Sequence, residues 1–209
     1  MEKNRIVEPN IYFKILKELI LNSKKQIKSQ KESFLFSTTC LKIDSKILSL
    51  ENGAYFSLCL LDNQLKEDDL VFYLMSAINN YVKDKFNIDI KNKYPNSLFK
   101  DGKKIGEVIS YRFKKWVMLG VAINLKDNFE NNVDENYFTS LNLDVDINEF
   151  IDGCVKYIFE ELKKEKEDVY QSYTNEMMYL NSIVTLNNNK QGTIKGVGLD
   201  NQLIVELLK

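Results

Sequence analysis

Lys91–Ser110, KNKYPNSLFKDGKKIGEVIS, is the stretch that decides the fold. Asn87 to Lys93 alternates apolar and polar residues, with Ile88 and Ile90 on one side, the pattern of a half-buried strand. Tyr94-Pro95-Asn96 then breaks the ladder, because Pro95 has no N–H to donate and pushes Tyr94 toward an extended backbone. Leu98-Phe99 reads as a short second strand. Asp101-Gly102 reads as a tight hairpin turn, whose two central residues want positive φ. Lys104 to Tyr111 returns as a third strand. The reading leaves a cation, Lys93, at the mouth of a sheet beside a stiff Pro-Asn corner.

Outward from this hairpin the chain alternates helices and strands. Asn10 to Gln30 reads as a helix, with Ile11, Ile15, Leu16, Leu19 and Ile20 on one side and lysines on the other. Glu32–Thr39 and Gly53–Leu61 read as strands joined by a loop, Thr39–Lys46. Glu67–Phe86 is a helix with acidic residues at its positive end. Trp116–Asn124 is apolar almost throughout and predicts a central, buried strand. Asp127–Asn136 reads as a solvated acidic loop that lacks calcium-loop spacing. Ile147–Gln171 follows the 3.6-residue period as one long helix, in which Gly153 implies tight packing. Three short strands, Ile183–Leu186, Gly192–Val197 and Leu203–Leu208, suggest a small barrel or meander.

Composition narrows the function. Of 209 residues, Lys plus Arg number 29 and Asp plus Glu 30, a balance that argues against general nucleic-acid binding. No apolar run spans a bilayer and the start is polar, so the expected location is the cytoplasm, with no membrane partner. Cys40, Cys59 and Cys154 form no pair with metal-ligand spacing, and Cys59 and Cys154 read as buried hydrophobes. The chain contains no histidine. That excludes Ser-His-Asp and Cys-His catalysis and His-ligated metals.

The hairpin also resembles the biotin protein ligases. Their lysine-aromatic-Pro-Asn-Asp segment matches Lys93-Tyr94-Pro95-Asn96-Ser97, with Tyr94 for Trp and Ser97 for Asp. Their Lys-Lys-x-Gly-Gly strand matches Lys103-Lys104-Ile105-Gly106, with Glu107 where a second Gly stands. Gly120-Val121-Ala122-Ile123-Asn124 is similar to the family's Gly-x-Gly-x-Asn strand, Thr139-Ser140-Leu141 to its Thr-Ser-Leu, and Gly192–Val205 to its C-terminal barrel.

The resemblance implies an α+β fold: a mixed or antiparallel sheet packed by helices, of the class II biotin/lipoate ligase kind, over 1–178, with a small SH3-like β-barrel over 179–209. It implies a ligase that forms biotinyl-AMP from biotin and ATP with Mg2+. Biotin then passes to a lysine of a biotin carboxyl carrier protein, and the enzyme is a monomer or homodimer of the short type without a DNA-binding domain. Lys93 is implied as the catalytic cation. Asn10, Lys42, Asn96, Gly106, Gly120 and Asn124 are implied to contact biotin or adenylate, with no metal ligand among the side chains. Asn10 also reads as a plain helix cap. Departures from the pattern keep two alternatives open. The family's glycine- and arginine-rich ligand loop is replaced by Thr39–Lys46, which has neither residue, and Glu107 brings a charge to a glycine wall. A non-catalytic binding module of the same fold, or a lipoate or octanoate ligase, therefore stands beside the first reading.

Overall fold

The computed structural model describes residues 11–43, 46–49, 51–61, 69–126, 137–186 and 189–208, with backbone alone for 42, 43 and 46–49. Its elements run α1 (Ile11–Ile27), β1 (Phe34–Ser37), β2 (Cys40–Ile43), β3 (Lys46–Ser49), β4 (Gly53–Leu61), α2 (Leu70–Phe86), β5 (Lys91–Lys93), β6 (Ser97–Lys100), β7 (Lys103–Phe113), β8 (Trp116–Asn124), α3 (Ile147–Glu161), α4 (Lys166–Asn175), β9 (Ile183–Thr185), β10 (Gln191–Val197) and β11 (Leu203–Leu207).

Six strands form one sheet in the order β1-β4-β8-β7-β6-β5, and every ladder in it is antiparallel. β8 lies between β4 and β7 and is buried along its whole length, as its unbroken apolar sequence requires. The β6–β7 turn takes φ 50° at Asp101 and 78° at Gly102, the positive pair that an Asp-Gly hairpin supplies. The two faces of the sheet are covered differently. α2, α3 and α4 bury the face carrying Phe56, Leu58, Val108, Leu119, Val121 and Ile123. α1 lies across the other face through Ile15, Leu16 and Leu19, packed with Tyr55 and Ala122.

Three readings are revised. The Thr39–Lys46 loop is largely a two-stranded hairpin, β2–β3, paired from Cys40–Ser49 to Ile43–Lys46. Its alternating Leu41 is buried with α1 residues Tyr12, Leu16 and Leu19. Asn87–Lys93 is extended in strand only from Lys91. Asn87 takes a left-handed conformation and donates its N–H to the Lys83 carbonyl, so it closes α2 before a strand can begin. Ile147–Gln171 is two helices. Glu165, at ψ 148°, breaks the helical backbone between them, and α4 turns to seat Val169, Tyr170 and Tyr173 in the core beside α2. The C-terminal strands are found as expected: β9–β11 form a three-stranded antiparallel meander, order β11-β10-β9. It is not independent of the rest: Ile194 and Val197 belong to the main core, and the Val197 N–H donates to Thr174 Oγ1 on α4 at 3.3 Å. The Asp127–Asn136 loop lies outside the described residues. No described helix is long and apolar enough to cross a membrane.

Candidate functional site

Cross-strand partners in an antiparallel sheet share a face. The registers Tyr55↔Ala122, Ala122↔Glu107, Glu107↔Ser97 and Ser97↔Lys93 therefore place five residues in one row across β4, β8, β7, β6 and β5, on the α1 side. At the Lys93 end this row is open. A cleft of about 560 Å³ lies there, lined by Lys93, the Tyr94–Ser97 corner, Phe99, Lys104, Tyr137 and Phe138. Its walls are two ammonium groups and several aromatic rings. Lys93 is exposed, with its Nζ 5.4 Å from the centre of the Phe99 ring. Such a surface suits a flat anion: rings receive the planar part and ammoniums the charge.

The corner is held from behind. Asn92 is buried, accepts from the Asn79 amide at 3.1 Å and donates to the Tyr173 carbonyl at 3.1 Å. Tyr173 Oη donates to the Pro95 carbonyl at 3.2 Å. Tyr94 Oη donates to the Asn201 carbonyl at 2.9 Å, tying the corner to the C-terminal sheet.

Lys104 is the cation that sequence reasoning passes over. Its side chain is only 15% exposed, and its Nζ lies 2.5 Å from Glu107 Oε2 and 5.3 Å from the Tyr12 ring centre. Counting alternation along a regular strand puts residues three apart on opposite faces. Here the ladder slips between Leu98 and Phe99: Leu98 pairs with Gly106, whereas Phe99 pairs with Lys104. The extra residue, Ile105, is a bulge that returns Lys104 to the face of Glu107. The Thr139 segment fixes it there. Lys104 N–H donates to the Tyr137 carbonyl at 2.8 Å, and the Lys104 carbonyl accepts from Thr139 N–H at 3.0 Å.

The other expected residues are placed as follows. Asn96 donates its amide to Glu107 Oε1 at 3.1 Å and to the Val108 carbonyl at 3.0 Å. Asn124 is buried on the α1 face, where its Oδ1 accepts from Tyr55 Oη at 2.7 Å and its amide donates to the Thr139 carbonyl at 3.3 Å. Gly106 pairs with Leu98 and Ile123 toward the main core, and a Cβ there would stand 2.4 Å from the Ala122 carbonyl oxygen. Gly120 lies beneath α1, where a Cβ would come within 2.8 Å of Ile109 and 3.2 Å of Leu16. Both glycines thus allow close packing. Lys42 lies in β2, and Asn10 lies outside the described residues. The structure therefore brings Lys93, Asn96, Lys104 and Glu107 together and sets Gly106 and Gly120 apart from the cleft.

Beyond Glu107 the row is covered. Tyr12, Tyr55, Phe138 and Leu41, all buried, close over Ala122. The Tyr12 hydroxyl has no hydrogen-bond partner among the described residues. Burial, with smaller contributions from Tyr55 and Glu107, raises its pKa far above the usual phenol value. Cys59 and Cys154 are buried free thiols, both pushed up by burial, and Cys40 is exposed.

No family model and no curated protein matches this sequence. Solved structures do. The biotin protein ligase of Aquifex aeolicus in complex with biotin and ATP superposes with a TM-score of 0.71 at 20% identity, over 88% of this chain and 90% of that one. The Leishmania major biotin protein ligase with biotinyl-5-AMP gives 0.62 at 13% identity, over 92% and 94%. A biotin protein ligase-like protein of unknown function from Silicibacter sp. gives 0.64 at 12%, over 91% and 88%. At these identities the likeness establishes one thing, that the chain has the fold of the biotin protein ligases.

Proposed function

We propose that the protein is an ATP-dependent ligase that activates the carboxylate of biotin as an acyl-adenylate and transfers the acyl group to a lysine of a biotin carboxyl carrier protein. The observation that carries this reading is the pair of ammoniums, Lys93 and Lys104, flanking an aromatic-walled cleft in this fold. In the first step a carboxylate oxygen attacks the α-phosphorus of ATP and pyrophosphate departs. In the second, the carrier amine attacks the acyl carbonyl, AMP departs, and the amine loses a proton to solvent. Negative charge builds on non-bridging phosphate oxygens and then on the carbonyl oxygen. Fixed cations at that point lower both barriers. Lys104, held by the bulge and by the Thr139 segment, is the better fixed of the two. Lys93, exposed at the mouth of the cleft, can reach out to the phosphates. Phe99 and Tyr137 offer faces for the adenine ring. Magnesium enters with the triphosphate as part of the nucleotide substrate. Among the described residues no group of three or more His, Cys, Asp or Glu side chains is placed to hold a metal ion.

The reading takes 179–209, with its three strands, as the small SH3-like C-terminal unit, and 1–178 as the catalytic one. It has the enzyme working in the cytoplasm as a monomer or homodimer. The test is pyrophosphate release from MgATP with biotin, lipoate or octanoate, followed by label transfer to a carrier domain. Release and transfer with biotin support the ligase, and lipoate or octanoate alone would move the assignment to that acid. No release with any acid refutes it. The second reading, a non-catalytic binding module, is favoured by the closed cover over Ala122 and by the engagement of Lys104 with Glu107. Nanomolar binding of biotinyl-adenylate would contradict it.

A further inference from the structure

Lys104 faces the cleft, yet its charge is already answered from within the chain. Glu107 Oε2 sits 2.5 Å from its Nζ, the two side chains are 15% and 12% exposed, and Asn96 steadies the other carboxylate oxygen at 3.1 Å. This is the contact geometry of a carboxylate ligand on a lysine, supplied by the protein itself. A second observation lies beside Lys104. Tyr12, whose ring centre is 5.3 Å from Lys104 Nζ, buries a hydroxyl with no partner among the described residues. Buried donors are nearly always satisfied, so an orphan on the ring that neighbours Lys104 marks a place that a rearranged acceptor would fill.

We infer that Glu107 is an internal stand-in for the substrate carboxylate and so the specificity-determining residue at the acid end of the site. In the resting protein it occupies Lys104. An acid substrate binds by taking its place on the ammonium, and the displaced carboxylate turns to accept from the Tyr12 hydroxyl. The exchange keeps a carboxylate on Lys104 while the site as a whole gains one negative charge, and the displaced Glu107 is met by the Tyr12 hydroxyl donor. Acids that bind only through their carboxylate are screened out, because they offer Lys104 nothing that Glu107 does not. An acid whose remaining atoms also gain contacts in the cleft is admitted. The inference rests on the ligase reading, since it takes Lys104 as the acid's anchor.

The experiment is calorimetric titration of biotin, lipoate and octanoate, without ATP, into the wild-type protein and into Glu107→Gln, Glu176→Gln and Tyr12→Phe variants. Glu107→Gln frees Lys104 and is expected to tighten binding of at least one acid tenfold or more. Glu176→Gln frees the exposed Lys91, which Glu176 contacts at 2.5 Å, and is expected to change nothing, which separates the local effect from a general gain of positive charge. Tyr12→Phe removes the waiting donor and is expected to weaken the acid several-fold while raising Tm, because an unpaired buried hydroxyl is gone. Unchanged or weaker acid binding in Glu107→Gln, including no binding in any protein, overturns the inference, as does an equal gain in Glu176→Gln. Pyrophosphate release with MgATP is measured separately. Wild-type protein that releases none with any acid, while Glu107→Gln binds one tightly, would sink the ligase reading and leave the carboxylate exchange at Lys104 standing.

Discussion

The Lys104–Glu107 pair makes a quantitative prediction through a double-mutant cycle. Lys104→Met keeps the apolar stem against Tyr12 and deletes the charge. Glu107 is then left with the Asn96 amide alone. Removing one member of a fully buried pair costs about 3–5 kcal/mol, because the survivor is an uncompensated charge. Exposed pairs are worth about 1 kcal/mol or less. With 15% and 12% of the side chains exposed, this pair lies between, and we expect Lys104→Met to lose about 2 kcal/mol. Glu107→Gln should lose less, about 1 kcal/mol, since the lysine stem can extend its ammonium into the cleft. The double variant has no stranded charge. It should cost about 1 kcal/mol, well short of the summed singles, which gives a coupling of about 2 kcal/mol. Urea unfolding of the four proteins, followed by circular dichroism with a shared slope, measures each value. Additivity within about 0.5 kcal/mol would show that the two groups do not depend on one another, and the site as described would be wrong.

Other consequences can be checked independently. Lys104→Met should also lower adenylate formation by about 10²–10³-fold, the usual loss on removing a group that stabilises developing charge; a turnover within a few-fold of wild type would exclude Lys104 from the chemistry. Gly153→Ala places a Cβ 2.3 Å from the Tyr81 ring, itself hemmed in by Phe86, Phe150 and Tyr157 at 5.6, 5.2 and 5.3 Å between ring centres. Overpacking of about 1–3 kcal/mol should outweigh about 1 kcal/mol of helix propensity, so a higher Tm would count against the α2–α3 contact. Tyr94→Phe removes the hydrogen bond to Asn201, worth about 1 kcal/mol, and hydrogen exchange should quicken around 198–204; unchanged protection would refute the tie. At Asp69 burial opposes the charge, but hydrogen bonds from Lys166, Asn201 and Tyr170 prevail and hold the carboxyl below its usual range. A depressed carboxyl stabilises the fold above its unfolded pKa, so this contribution should fade as pH falls below about 4. Asp69→Asn should flatten that acid limb of the stability curve, and an unaltered limb would exclude Asp69 as a contributor.

Much of the frame was legible because it is written in short-range patterns. Gly53–Leu61 and Trp116–Asn124 have the bounds that their apolar runs announce, and Asp101-Gly102 makes its turn by local backbone preference. Helical stripes located α1 and α2 within a few residues. Errors fell where a local signal met a competing one. Asn87 sits in an alternating segment but caps α2, and the α3–α4 region carries an unbroken periodicity across a bend that α4 makes to bury Tyr170 and Tyr173.

The sequence alone therefore determined the long strands β4 and β8, the Asp-Gly turn and the helical faces, since each depends on neighbours within one element, while Lys93 and Asn96 became candidates through the family resemblance of their motif. The tertiary structure decided what those residues face. Tyr55, Ala122, Glu107, Ser97 and Lys93 become one row only through registers that join strands distant in the chain. A single extra residue at Ile105 inverts the alternation and sets Lys104 against Glu107. Gly106 and Gly120, alike in sequence to a ligand wall, are spent on close packing against Ala122 and α1. Parity in a β-ladder accumulates along the pairing, so one bulge reassigns every face beyond it.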